Sequence, residues 1–313
     1  MKHVILIAEE NYSPEAVFLY KKLGSVYFGE KYLKKADILV VRLELNVTKK
    51  IIDAAPNLKI IATSTTGLNH IDTDYAQKRG VKIISLRGES GFLKNIPSTA
   101  EETMALVLSL LRNVNWAHED VLNGKWRTNN WAGHQLLGKT LGLIGFGRLG
   151  KIVAKYARAF GMNVLASDPN VSANIIKKYG AKKNDLNTLL KKSDVVSLHV
   201  LLTEKTKNMI QEKHFRAMKR SAYFINTARA ELISQNALYN ALKNKWIAGA
   251  AIDVMDDEQA DGRHLKKDPL WKYAKANKNL IIVPHIGGTT HDAKRITQNF
   301  IAEKVTKFLK NQK

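Results

Sequence analysis

Cysteine is absent from the 313-residue chain, which at once removes disulfides, thiolate metal sites and a cysteine nucleophile. The absence accords with a reducing compartment, and no metal site is expected. Long apolar runs are missing too. No window approaches the roughly 18 apolar residues of a membrane span, so no membrane partner is expected. The opening segment MKHVILIAEE has a short apolar run and then two acids. A secretory leader needs a longer apolar stretch and a small-residue cleavage site, so the segment is read as a first strand and the protein as cytoplasmic. Acidic residues are scarce, with 28 Asp and Glu against 50 Lys and Arg, a formal net charge of +22. The excess is spread along the chain, as at Lys34, Lys50, Lys125, Lys191 and Lys278, and the densest group, Lys177 to Lys183, lacks interleaved aromatics. This describes a solvated, lysine-biased surface that steers small acids inward. A nucleic-acid reading would rest on charge alone, and no specific nucleic-acid partner is expected.

The hydrophobic share of 45% is ample for a large core, and the length favours two domains. Strand candidates are Val4–Ala8, Ile38–Val41, Ile60–Ala62, Lys82–Leu86, Leu141–Ile144, Asn163–Ala166, Val195–Leu198, Ala222–Asn226, Ala248–Ile252 and Leu280–Pro284. Helix-like stretches lie between them, among them Ser13–Leu23, Ala100–Arg112, Leu149–Phe160 and Gln235–Asn244. Such alternation means βαβ units and parallel sheets. Two series are visible, one over residues 1–96 and one from Leu141 to about residue 286, while Asp292–Lys310 is amphipathic and must pack on one of them.

The strongest local motif is Gly145-Phe146-Gly147-Arg148-Leu149-Gly150, which follows the strand LGLI and opens a helix. In that context the first glycine permits the tight turn, the second lets backbone approach a pyrophosphate, and the third allows close helix–strand packing. The free N–H groups and dipole of the helix N-terminus complete an anion site. An acid is then needed to bind the adenosine ribose, and Asp168 stands 23 residues beyond Gly145, at the end of MNVLASD. A carboxylate there accepts from both ribose hydroxyls and repels a 2′-phosphate, so the cofactor is read as NAD.

Three further segments follow strands of the second series, ending at or containing Arg229, Glu258 and His285. Ligands of open α/β sheets gather beyond the carboxyl ends of strands, so these distant residues are expected to share one crevice. Hydride addition to a 2-oxo acid requires a cation for the carboxylate, and arginine binds it in a planar fork. It also requires a proton donor for the new alkoxide, a task for histidine, with a neighbouring carboxylate to orient the ring and favour its charged form.

The chain resembles the D-isomer-specific 2-hydroxyacid dehydrogenases over nearly its whole length. The resemblance rests on TSTTGLNHID (63–72), STAEET (98–103), NGKW (123–126), LLGKTLGLIGFGRLG (136–150), SLHVLLTEKTKNMI (197–210), INTARAELI (225–233), AAIDVMDDE (250–258) and VPHIGGTT (283–290). It implies that Arg229 binds the substrate carboxylate and carbonyl, and that Glu258 and His285 form the acid/base pair. It further implies that Asp253 holds the nicotinamide carboxamide, and that Thr66 and Gly67 cradle the substrate carboxylate. Cofactor contacts are implied at Thr99, His199, Thr206, Thr227, Ala228 and Gly287. The implied architecture is a Rossmann-type, doubly wound parallel-sheet domain (99–286) inserted into a smaller flavodoxin-like α/β substrate domain (1–98 with 287–313), in a homodimer.

Some positions depart from the family. Ala230 and Gln259 stand where glycine and proline are usual, and Leu201 replaces another common proline. None is a reactive group. Arg42 resembles an arginine that anchors the distal phosphate in phosphoglycerate dehydrogenases, although Thr63 stands where a second basic residue is expected. A 3-phosphoglycerate/3-phosphohydroxypyruvate pair is therefore the first expectation, with glyoxylate or hydroxypyruvate reduction as the alternative. Because little chain follows His285, feedback through a C-terminal amino-acid-sensing domain is not expected. A glutamate at 258 argues against formate oxidation, which creates no alkoxide to protonate. A catalytically silent NAD-sensing regulator on the same scaffold is the alternative of another class.

Overall fold

Runs such as Ile38–Val41 and Gly249–Ile252 are apolar throughout, and every residue of both is buried, as befits strands covered on both faces of a parallel sheet. The computed structural model describes residues 2–43, 45–126, 129–259 and 261–312. Its strands are β1 (His3–Ile7), β2 (Gly24–Phe28), β3 (Ile38–Val41), β4 (Ile60–Thr63), β5 (Lys82–Ile84), β6 (Thr140–Ile144), β7 (Asn163–Ser167), β8 (Ala181–Lys183), β9 (Val195–Leu198), β10 (Tyr223–Asn226), β11 (Gly249–Ile252) and β12 (Leu280–Ile282). They divide between two compact units, Met1–Ile96 with Thr289–Lys313, and Pro97–Gly288.

The first unit holds one parallel sheet in the order β2-β1-β3-β4-β5, a doubly wound, flavodoxin-like arrangement. Successive side chains point to opposite faces. Ile5, Ile7, Ile38 and Val40 pack on one side with Ala16, Tyr20, Ile301 and Val305, while Leu6, Leu39, Val41 and Ile61 pack on the other with Ile52 and Ala76. The helix His291–Lys310, capped by Thr290 on the Ala293 N–H, is bound into this unit. Ser13 N–H donates to Gln298 Oε1 at 2.8 Å, Lys304 Nζ donates to Ser85 O and Glu89 Oε1, and Phe300 stacks on Phe92.

The second unit holds a seven-stranded parallel sheet, β8-β7-β6-β9-β10-β11-β12, so the order reverses direction between β6 and β9 as in the Rossmann fold. Leu143, Val195, Ile225 and Ala251 face the helices Ser98–Leu111 and Arg148–Ala159. Val196, Leu198, Phe224 and Ile252 face the opposite layer, which includes Leu189, Phe215 and Leu238. Among the described residues no helix is long and apolar enough to cross a membrane.

Two strands escape the sequence pattern, β2 and β8, and both are sheet edges. The first is only half-buried and the second, Ala181-Lys182-Lys183, has two exposed lysines. Edge strands need no continuous apolar face, and lysine there discourages pairing with other chains. The unit boundaries also lie two residues from those expected at 98/99 and 286/287. Pro97 and Ser98 begin the helix of the second unit, and Gly287 is held there through its N–H by Asp253.

Gly142 on β6 makes the close approach of the helix Leu186–Lys192 feasible: a Cβ there would lie 2.2 Å from Ser193 Oγ and 2.5 Å from Leu189 Cδ2. Gly142→Val is expected to overpack this face and lower stability by about 1–3 kcal/mol, read as a fall in the unfolding midpoint. An unchanged midpoint would mean that the helix moves aside freely.

Candidate active site

The glycine loop sits where β6 runs into the helix Arg148–Ala159, beside the reversal of strand order. Gly145 adopts φ +91°, and a Cβ on it would collide with the His199 carbonyl oxygen at 2.5 Å. A Cβ on Gly150 would meet Gly145 O at 2.5 Å, whereas one on Gly147 would meet nothing within 4 Å. The outer glycines therefore close the turn, and the middle one leaves backbone open to a ligand, the cradle a dinucleotide pyrophosphate needs. Asp168, just beyond β7, accepts from the Phe146 N–H at 2.8 Å through one oxygen and from the Asn170 N–H at 2.8 Å through the other. Its carboxylate thus faces the loop with lone pairs to spare for ribose hydroxyls. These residues fit NAD.

His199 hydrogen-bonds Ser197 Oγ through Nε2 at 3.0 Å. Crowding by neighbouring atoms desolvates the ring and holds its pKa at about 4, so it is neutral near pH 7. Thr206 is engaged locally, donating to Leu201 O at 2.7 Å and accepting from the Thr203 N–H at 2.8 Å. Arg148 and Leu149 begin the helix itself, where burial lowers the Arg148 pKa.

Glu258 and His285 meet although 27 positions separate them, with Nδ1 and Oε2 2.6 Å apart. The other Glu258 oxygen accepts from the Met255 N–H at 2.9 Å. Burial alone would push this carboxyl up, but the His285 hydrogen bond and charge, the Met255 N–H and Arg229 outweigh it and hold the pKa below its ordinary value. Glu258 is thus kept as an acceptor for Nδ1 of His285, an arrangement that suits Nε2 to proton exchange. His285 occupies the left-handed region at φ +52°, and Asp257, next to Glu258, does so at φ +53°. A histidine held there is strained, so something must hold it.

That something is Asp253, a buried residue immediately after β11. Its Oδ1 accepts from the Ile286 N–H at 2.6 Å and its Oδ2 from the Gly287 N–H at 2.9 Å. The two residues that follow His285 are therefore pinned by one carboxylate. Gly287 must lack a side chain: a Cβ would lie 2.3 Å from Glu102 Oε2, 3.0 Å from Asp253 Oδ2 and 3.1 Å from Thr99 Cγ2. Arg229 adjoins this group. Burial lowers its pKa, while the charges of Glu231, Glu258 and Asp253 act to raise it, and Nη1 donates to Ala228 O at 2.6 Å. The second unit thus brings together Arg229, Glu258, His285, Asp253, Gly287 and Thr99.

Three supporting residues were not singled out from the sequence. Asn226, fully buried, accepts from the Ala228 N–H at 3.0 Å and donates to Arg229 O at 2.9 Å, stapling the loop that carries the arginine. An asparagine at a strand end is a recognisable turn signal. Thr103 shares a 2.9 Å hydrogen bond with Thr227, and Glu102 lies beside Asp253. Both sit within a helical pattern that gives no hint of these partners. Among the described residues no group of three or more His, Asp or Glu could hold a metal ion.

Arg42, Thr66 and Gly67 belong to the first unit. Arg42 follows β3, and the Thr66–Gly67 loop follows the adjacent β4. Thr65 Oγ1 donates to Gly67 O at 2.7 Å, which fixes the loop. Arg42 Nη2 donates to Thr289 Oγ1 at 3.1 Å, and the Arg42 and Glu9 charges act in opposite directions on the buried Tyr12 hydroxyl.

Residues 104–287 match the family model described as the D-isomer specific 2-hydroxyacid dehydrogenase, NAD binding domain. The chain is 36% identical over 281 residues to a D-3-phosphoglycerate dehydrogenase of Methanocaldococcus jannaschii, with 90% of this chain and 51% of that protein covered, so it spans about half of that relative. It is 38% identical over 279 residues to a hydroxypyruvate reductase of Thermotoga maritima, covering 89% of this chain and 87% of that protein. A D-lactate dehydrogenase of Aquifex aeolicus, solved with NAD and lactic acid, superposes with a TM-score of 0.81 at 31% identity, covering 98% of this chain and 96% of the other.

Asp168→Ala removes an acceptor of charge-assisted bonds worth about 1.5–3 kcal/mol. NADH binding is expected to weaken by roughly tenfold or more, with NADPH binding weakened less, as read by fluorescence titration of both. A wild-type preference for NADPH would contradict the assignment of this carboxylate.

Proposed function

The chain belongs to the D-isomer-specific 2-hydroxyacid dehydrogenase family of NAD-dependent oxidoreductases, and we propose that it interconverts 3-phosphoglycerate and 3-phosphohydroxypyruvate. The observation that carries the reaction class is the 2.6 Å Glu258–His285 pair with Arg229 in the same electrostatic neighbourhood. NAD, when bound, supplies or takes up the hydride. Arg229 binds the substrate carboxylate and polarises the carbonyl, and His285 Nε2 delivers a proton to the developing alkoxide during reduction or removes one from the hydroxyl during oxidation. Glu258 compensates the imidazolium charge and fixes which ring nitrogen faces the reactant.

In the first unit, we assign the Thr66–Gly67 loop to the substrate carboxylate and Arg42 to the distal phosphate. The guanidinium of Arg42 at a strand's carboxyl end supports a phosphorylated substrate. A second reading, hydroxypyruvate or glyoxylate reduction, is favoured by a different observation: Arg42 already donates to Thr289, with the buried Glu9 carboxylate nearby on Tyr12. A cytoplasmic location and a homodimer accompany the proposal, the homodimer supported by the largely exposed Leu122 and Trp126 of the second unit, apolar side chains that a second copy would cover.

The test is NADH oxidation, followed by absorbance, against 3-phosphohydroxypyruvate, hydroxypyruvate, glyoxylate, pyruvate and 2-oxoglutarate. Highest kcat/KM on the phosphorylated acid is expected, and silence across the panel with NADH still bound would favour the regulatory alternative. His285→Ala should lower turnover by about 10²–10⁴ with NADH affinity retained; unchanged turnover would refute the acid/base role. Arg42→Ala should raise KM for 3-phosphohydroxypyruvate by roughly tenfold or more and leave hydroxypyruvate unaffected. An equal effect on both would remove the phosphate assignment.

A further inference from the structure

Glu102 lies on the helix Ser98–Leu111, and both of its carboxyl oxygens are sealed from solvent, with no N–H group among the described residues donating to them. The polar group they face is the Asp253 carboxylate. The space between them is so narrow that a single Cβ on Gly287 would strike Glu102 Oε2 at 2.3 Å and Asp253 Oδ2 at 3.0 Å. Two carboxylates cannot both remain charged in a dry space of this size, so the pair holds a proton. Asp253 has two backbone N–H donors and the positive influence of His285 to support its charge. Glu102 has neither, and so the proton resides on Glu102.

We infer that Glu102 is a positioning residue: its protonated carboxyl lets Asp253 stay charged in place, and Asp253 in turn pins the two residues after His285. The device is a chain of three links. A proton on Glu102 neutralises the neighbour of Asp253, Asp253 grips the Ile286 and Gly287 N–H groups, and that grip keeps His285 at its strained φ of +52°. Loss of the proton sets two anions against each other, and the cheapest relief is for Asp253 to let go of the loop. His285 then relaxes from its left-handed backbone and leaves Glu258.

Few other charges act here. Asp253 faces Glu102 from the end of β11; His285 acts on Asp253 from the loop after β12, and Arg229 interacts with it from the loop after β10. On the helix Arg148–Ala159, Tyr156 interacts with Glu101, the adjacent position. Among the described residues no charge on that helix or on Val114–Leu122 acts on Glu102. Burial, then the Asp253 charge and hydrogen bond, raise the Glu102 pKa from 4.5 to about 8, which sets the range in which the latch would release.

The sign follows from proton counts. Between about 4.5 and about 8 the folded chain holds a proton on Glu102 that the unfolded chain has lost, so stability declines with rising pH across that window and levels off above it. Glu102→Gln keeps a neutral donor of the same shape and cannot titrate. The unfolding midpoint of the cofactor-free protein is expected to fall more steeply from pH 5 to 8 in the wild type than in E102Q; parallel curves would overturn the inference. Infrared spectra of the cofactor-free wild type should show a protonated carboxyl band at pH 7 that disappears through about 8, and its absence at pH 7 overturns the inference even if E102Q does not fold.

The link to His285 rests on the function proposed above and is read in the oxidation direction, where His285 is the proton acceptor. There the wild-type kcat should fall about tenfold per pH unit above the Glu102 transition, with KM little changed, while E102Q keeps its rate. An identical alkaline fall in both proteins breaks the link. The two cofactor-free measurements need no substrate, so a silent substrate panel beside a positive result there would fail the proposed function and leave the Glu102 proton intact.

Discussion

The Asp253 carboxylate is the contact on which the geometry of the Glu258–His285 pair depends. Both of its oxygens are committed to backbone N–H groups of the loop that carries His285, and that loop holds a bulky residue in a conformation it would not choose alone. An exposed loop would scatter the imidazole over many backbone and side-chain states, and ordering it would cost conformational entropy. Here the ordering is done on folding. Glu258 adds the second constraint by taking Nδ1, so both the backbone and the ring of His285 have an assigned partner.

Those constraints are possible because the second sheet is parallel. Every strand delivers its carboxyl end to the same edge, and the loops after β10, β11 and β12 carry Arg229, Glu258 and His285 in turn. The glycine loop and Asp168 follow β6 and β7 at that same edge, beside the reversal of strand order between β6 and β9. The glycine loop and the Glu258–His285 pair therefore share an edge without sharing sequence.

The surface and the site use charge differently. Outside, a net charge of +22 acts through solvent and is screened beyond about 8–10 Å at physiological salt. Inside, a few carboxyl groups are packed among Arg229 and His285, and each has its own support: Glu258 the imidazole and Met255 N–H, Asp253 two amides, Glu102 a proton. Lysine count says nothing about such pairings, because a buried group responds to the few atoms that touch it.

The parallel α/β class, the glycine loop with its acid, and the placement of Arg229, Glu258 and His285 after successive strands were legible in the residues, because turn chemistry, apolar runs and strand-end position are local signals. The edge strands β2 and β8 were not, since an edge lacks the second buried face that makes a continuous apolar run necessary. Nor were Asn226, Thr103 and Glu102 recognised as parts of the site. Glu102 in STAEET reads as a solvated helix position, and only the fold brings it against a residue 151 positions away. Sequence determined which chemical groups were available and which strand each followed. Tertiary structure decided which carboxyl keeps a proton and how the histidine is held, because burial and charge proximity depend on distance in space.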